Sequence, residues 1–351
     1  MPTRPRWLGL ARLAGTLVAG AVMVAVAYRL DDGALPMYTR MGLAAIVAVG
    51  LSLLMGFAGQ ISLGQGAFYA LGAYTTGILS VGIDPDERLV NPDAGWDPLV
   101  ALAAAPVVTG AVAAVVGVPL LRLRGHYLAF ATLALHLILL AVLFAEDRFT
   151  GGQDPGLVGI PLLEVRGRVI EDERLAAVVW AIVALSVIMA LNLVGSRAGR
   201  AMRAIATSEA TAAAAGINVA MYKLRLFVLA AGLAGLAGGL FTYYLLFLSP
   251  DAFPLFMSIT FVVMVAVGGM GSVYGAVVGA IGITYLEDKL RELGTREELL
   301  GFSLPPQAPQ VFSIGIFGAI LIVVMLFAPR GLIPSLRAAV ETAARSARSS
   351  R

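Results

Sequence analysis

The sequence contains no cysteine, which excludes disulfides and thiolate metal sites. Histidine is limited to His126 and His136. Charge is scarce too: Asp, Glu, Lys and Arg make up 13% of the 351 residues, about half the ~25% of soluble domains. With 59% hydrophobic residues and a mean hydropathy of +0.88, a water-soluble fold would lack the polar surface to cover its core. The formal net charge of +3 is small, and the bases sit in short loops and at the C-terminus. That distribution fits orientation in a membrane, not nucleic-acid binding. The expected fold class is all-α: one polytopic transmembrane helical bundle.

Catalytic devices are missing as well. A Walker A loop needs a lysine after glycine so that backbone N–H groups and the ammonium cradle phosphates. The lysines here, Lys223 and Lys289, follow tyrosine and aspartate. No HExxH, GxSxG or clustered carboxylate pair falls within the apolar runs. The deep polar groups are mostly neutral: Gln60, Ser62, Gln65, Thr75, Thr76, Thr132, Ser186 and Thr260. Proton- and sodium-coupled carriers usually place ionisable groups at such depths. Any driving energy therefore comes from other chains, or there is none, as in a channel. No cofactor or metal is expected.

What is present is a series of apolar runs. A spanning helix needs about 20 residues to cross ~30 Å of hydrocarbon. Ten candidates are 7–28, 36–56, 66–83, 99–121, 126–145, 175–195, 225–247, 255–268, 272–286 and 311–328. The spans 255–268 and 272–286 are short, which leaves open a broken or re-entrant pair. Basic connections (the N-terminus, Arg122 with Arg124, 196–225, the C-terminal tail) alternate with acidic ones (29–35, 84–98, 146–174, 287–308). This places both termini in the cytoplasm. Ala25-Val26-Ala27 resembles a signal-cleavage site, but the parity of ten spans favours a retained first helix. The chain divides into an N-terminal helix and external turn (1–35), a transmembrane domain (36–330) and a basic tail (331–351).

Three segments interrupt the apolar pattern: 56–66, 196–221 and 268–272. Gln60, Ser62 and Gln65 fall among glycines. Two buried glutamines need partners or water, so a lined pathway competes with simple helix packing. His136 lies mid-span, either as a pathway contact or as a neutral imidazole bonded to a neighbouring helix. His126 sits at the end of its span beside Arg122 and Arg124, which suits an interfacial position. In 196–221, Ser196 is placed to cap a helix through Arg197, Arg200 and Arg203. Thr207 or Ser208 is placed to cap a second, from Glu209 through Ala210 to Ala215, ended by Gly216. An amphipathic pair on anionic lipid and a docking knob for a cytosolic partner are equal readings of that spacing.

Several motifs together carry a resemblance. Gly56-Phe57-Ala58-Gly59-Gln60-Ile61-Ser62-Leu63-Gly64-Gln65-Gly66, Leu123-Arg124-Gly125-His126-Tyr127, Thr150-Gly151-Gly152, Gly199-Arg200-Ala201-Met202-Arg203, and the Gly268–Gly279 run resemble LivM-type permeases of branched-chain amino acid ABC importers. The resemblance covers about 36–330. It implies a ten-helix permease half in a bacterial inner membrane, without its own ATP site. It also implies a second related permease, two cytosolic ATP-binding subunits and an extracytoplasmic substrate-binding protein as partners. The candidates for the translocation pathway are Gln60, Ser62, Gln65, Thr132 and His136. By the resemblance, the ATPase-coupling loop comprises Arg197, Gly199, Arg200, Arg203, Glu209, Ala210 and Gly216. The loop facing the binding protein comprises Thr150, Gly151, Gly152 and Asp154. The second segment also resembles the Glu-Ala-Ala…Gly loop of other ABC importers, although Glu209 to Gly216 is one residue longer. Leu137 and Leu139 stand where the family often has a glutamate and a base, which leaves open urea or short amides as substrate. A self-sufficient small-solute channel is the alternative from another class, and a membrane enzyme has no supporting constellation.

Overall fold

The computed structural model describes residues 6–82, 95–123, 125–146, 150–151, 156–165, 168–294, 298–299, 302–303, 315 and 318–319. The expected span 311–328 and the tail 331–351 lie essentially outside these residues, as do Arg124, Gly152 and Asp154.

The described chain is helical. In order it forms α1 (Arg6–Ala27), α2 (Leu35–Ser52) running into a π-helical turn (Leu53–Phe57), α3 (Gln65–Val81), α4 (Pro98–Leu120), α5 (His126–Ala145), α6 (Asp172–Gly195), α7 (Arg197–Thr207), α8 (Glu209–Ala214), α9 (Val219–Leu245), α10 (Leu255–Gly268) and α11 (Val273–Gly294). Two antiparallel pairs of two-residue strands, 164–165 with 168–169 and 298–299 with 302–303, are too short to alter the all-α class. Six stretches among the described residues are long and apolar enough to cross a bilayer: Leu35–Phe57, Pro98–Leu120, His126–Ala145, Asp172–Gly195, Val219–Leu245 and Pro250–Gly268.

Burial sorts these helices into layers. In the apolar window of α2, 83% of residues are buried, and in that of α9, 61%, against 28% for α4 and α5. The first two form the centre, and α4 and α5 turn Val107, Val115, Phe130 and Ile138 outward. Helices in lipid associate by close packing, not by hydrophobic burial, so small residues mark the contacts. A Cβ on Gly72 of α3 would stand 2.1 Å from the Gly235 carbonyl oxygen of α9, and one on Gly238 would stand 1.9 Å from that of Tyr69. The helices α3 and α9 thus meet at backbone contact, and they run in the same direction, since Phe68 meets Phe227 edge-on, Gly77 lies near Thr242 and Ser80 bonds Tyr243.

The same device closes the hairpin of α10 and α11. Added Cβ atoms on Gly268 and Gly279 would meet the Gly275 and Met264 carbonyl oxygens at 1.9 and 2.0 Å. The turn between these helices uses positive φ at Gly269 and Gly271, a conformation costly for other residues. The hairpin differs from the expected spans in one respect. The helix that starts at Val273 does not stop at 286 but continues to Gly294. The charged run after 286 is, as far as Gly294, a helical extension of the bundle. Asp288 on it ion-pairs with Arg40 of α2. The first helix packs on the bundle: Thr16 hydrogen-bonds the Tyr274 hydroxyl at 2.7 Å, and Tyr38 donates to the Met23 carbonyl at 2.6 Å.

Candidate translocation path and coupling surface

The first interruption in the sequence becomes a true break. The helix α2 loosens into its π turn at 53–57, and the chain is non-helical from Gly59 to Gly64 before α3 begins. Because α3 runs beside α9 and starts opposite its middle, this irregular segment lies deep in the bundle. Such backbone is tolerated at membrane depth only where protein covers it or it lines a cavity.

Its partners are specific. Leu63 N–H donates to Thr132 Oγ1 of α5 at 2.9 Å, and Thr132 itself donates to the Ala129 carbonyl at 2.9 Å. Gly66 N–H donates to Ser258 Oγ of α10 at 2.9 Å, and that oxygen lies 2.8 Å from His136 Nδ1 of α5. Space is tight: a Cβ on Gly64 would meet the Thr132 carbonyl oxygen at 2.9 Å, and one on Gly66 would meet the His136 ring at 2.5 Å. Ser62 is buried, its Oγ 3.5 Å from the Gly64 N–H that points to it. Thr132 and His136 thus hold the break in place, and His136 is an imidazole bonded to a neighbouring helix. Gln60 and Gln65 differ from them. Both are buried, and neither side-chain amide has a hydrogen-bond partner among the described residues. Buried amides without partners are costly, which sets these two glutamines apart from the bonded residues around them.

The segment 196–221 folds as its caps require. Ser196 Oγ accepts from Ala198 and Gly199 N–H, and Ser208 Oγ accepts from Thr211 N–H at 3.3 Å. A left-handed Gly216, φ 80°, follows the end of α8. Gly199, Met202 and Ile205 of α7 are buried, while Arg197, Arg200 and Arg203 are exposed. Arg203 also donates to the Val194 carbonyl at 3.1 Å, fixing α7 on the end of α6. Ala210 is exposed on α8. Glu209, at the first turn of α8, is ion-paired with Lys223, which is buried near the start of α9. The two interruptions touch: a Cβ on Gly59 would lie 3.6 Å from the Ala206 Cα. The third joins them, since Gly56 lies against Gly271.

The Thr150 region lies at the opposite end. Thr150 is buried and donates to the Leu143 and Glu146 carbonyls, both at 3.0 Å. Gly151, φ 73°, packs against the Gly156 carbonyl. Leu157 then pairs with Leu248. These residues shape the turn; Gly152 and Asp154 lie outside the described part.

The sequence did not single out a cavity of about 600 Å³ between α2, α3, α9, α10 and α11. Arg40, Asp251, Glu287 and Arg291 are among its lining residues, with Tyr69, Phe241 and Phe261. A signal was available: Arg40 stands five positions inside the apolar run 36–56, and an ionisable residue there marks function by default.

A helical bundle with a backbone break at depth, a helical knob at one end and a cavity toward the other defines a membrane transport subunit. The chain belongs to the family described as "Branched-chain amino acid transport system / permease component", which matches residues 33–325. It is similar to the high-affinity branched-chain amino acid transport system permease protein LivM of Salmonella typhimurium, with 26% identity over 339 residues, 90% of this chain and 73% of the relative. It is also similar to LivM of Escherichia coli, with 27% identity over 345 residues, 92% and 75% of the two chains. No solved structure matches. Family membership makes this chain a permease subunit of an ABC importer, not an enzyme, and implies ATP-binding and substrate-binding partners.

Proposed function

We propose that the chain is one half of the permease of a bacterial inner-membrane importer for branched-chain or related amino acids. It pairs with a second related permease above two cytosolic ATPases, and an extracytoplasmic binding protein delivers the substrate. The transmembrane domain 36–330 has ten spans with the preceding first helix counted: α1–α6, α9–α11 and 311–328. Both termini lie in the cytoplasm, where the basic tail 331–351 ends.

One observation carries this reading. Ala206 of α7 touches Gly59, the foot of the non-helical segment that brings Gln60, Ser62 and Gln65 into the bundle. Motion of α7 and α8 is thereby delivered to the irregular backbone between α2 and α3. Arg197, Arg200, Arg203 and Ala210 form the ATPase-facing surface. Gly199, Glu209 and Gly216 give that surface its shape. The pathway passes Gln60, Ser62 and Gln65, with Thr132 and His136 holding its wall. Thr150 and Gly151 orient the loop with Gly152 and Asp154 toward the binding protein.

The experiment is co-expression with candidate ATPases and a binding protein. ATPase stimulation is then measured with leucine, isoleucine, valine, other amino acids and urea. Stimulation by branched-chain amino acids is expected; stimulation by urea alone would contradict the substrate assignment.

A further inference from the structure

The cavity between α2, α3, α9, α10 and α11 has features that closing a bundle does not require. Its lining includes two cationic and two anionic side chains: Arg40 and Arg291, Asp251 and Glu287. Arg40 is already committed, through its ion pair with Asp288. Glu287 Oε1 accepts from Thr260 Oγ1 at 3.2 Å. Glu287 and Arg291 are four residues apart on one helix, so they rise on the same face a turn apart. Thr284, a turn below, is buried, lines the cavity, and has a hydroxyl without a partner among the described residues. Most of the remaining wall is aromatic or aliphatic, with Tyr69, Phe241, Phe256, Met257, Phe261 and Met264; Tyr244 and Ser249 add hydroxyls. Tyr69 lies one turn along α3 from Gln65, so the floor of the cavity adjoins the polar break.

We infer that this cavity is a receiving site for an α-amino acid zwitterion, upstream of the break. Glu287, with Asp251, faces the ammonium. Arg291 faces the carboxylate, Thr284 supplies a further hydrogen bond, and the aromatic wall takes the side chain. The volume of about 600 Å³ lies within the roughly 300–1,000 Å³ of small-molecule sites. A site with both signs present and an apolar wall selects a neutral solute with separated charges over urea, which has none. The inference rests on the permease reading and locates its first substrate contact within the chain.

The absence of cysteine gives a direct test. Ala252→Cys, and separately Ala44→Cys, place one thiol at the cavity wall, and the complex with its ATPases is purified with each. Alkylation of this chain by a small thiol reagent is timed with leucine, with isoamylamine (no carboxylate) and with 4-methylpentanoate (no ammonium). Leucine at twice its Kd is expected to slow alkylation about threefold, because occupancy sets the free fraction. The two analogues at the same concentration are expected to have little effect, and Glu287→Gln or Arg291→Ala is expected to abolish protection by leucine. Equal protection by all three compounds, protection surviving both substitutions, or no protection at either thiol overturns the inference. ATPase co-purification and leucine uptake by the same preparation report the permease reading separately, so the two can fail independently.

Discussion

Lys223, buried near the start of α9, is ion-paired with Glu209 at the first turn of α8. The pair ties the small exposed helix to the long central one, so the two cannot move apart without uncovering a buried ammonium. Glu209 also sits where the positive end of a helix favours a carboxylate.

Glu209→Gln leaves the Lys223 ammonium buried without its partner. A cost of about 1–2 kcal/mol is expected, below that of a fully buried pair because Glu209 is partly exposed. Transport should fall more than ATP hydrolysis. The double change with Lys223→Met should recover stability but not transport. Thermal unfolding in detergent and the ratio of transport to ATP hydrolysis check this.

Arg200→Glu with Arg203→Glu reverses the charge of the exposed face of α7. Membrane insertion should persist while co-purification of the ATPases and uptake are lost. Arg203→Glu alone also removes a bond to the Val194 carbonyl, so Arg200→Glu by itself should give the cleaner loss of docking. Pull-down and uptake measure it; survival of both functions in the double variant would refute the docking role.

Ser258→Ala removes the acceptor of Gly66 N–H and the partner of His136. An orphaned buried donor costs about 1–3 kcal/mol. Ser258→Thr, which keeps the hydroxyl, should be closer to the parent. The melting temperatures of the two variants separate loss of the bond from loss of space.

Gly72→Ala sets a methyl 2.1 Å from the Gly235 carbonyl oxygen. Overpacking of this kind costs about 1–3 kcal/mol, and at backbone contact the upper end is expected. Gly15→Ala, with nothing within 4 Å of the new methyl, is the control. Yield of folded protein after extraction distinguishes them.

Local signals were the legible ones. Ser196, Ser208 and Gly216 announce the paired helices because caps and stops act over three or four residues. The glycines around Gln60 and Gln65 announce the break for the same reason. The α10–α11 hairpin was readable as two short spans, although the helical run to Gly294 was not, because its charges resemble a loop. What the sequence hid is long-range. Arg40 meets Asp288 across 248 positions, and Leu63 finds Thr132 across 69. Periodicity cannot show such pairings, nor the cavity that Arg40 lines with residues of four other helices. Nor could the sequence show that the Thr150 hydroxyl closes the end of α5, where it donates to the Leu143 and Glu146 carbonyls.

The central claim is that this bundle is a passage driven by engines on other chains. Its most direct test is uptake of labelled leucine into liposomes, first with this chain alone and then with the second permease, the ATPases, ATP and the binding protein. The account predicts no uptake by the chain alone and ATP-dependent uptake by the assembly. Solute flux through the chain without partners or ATP would contradict it.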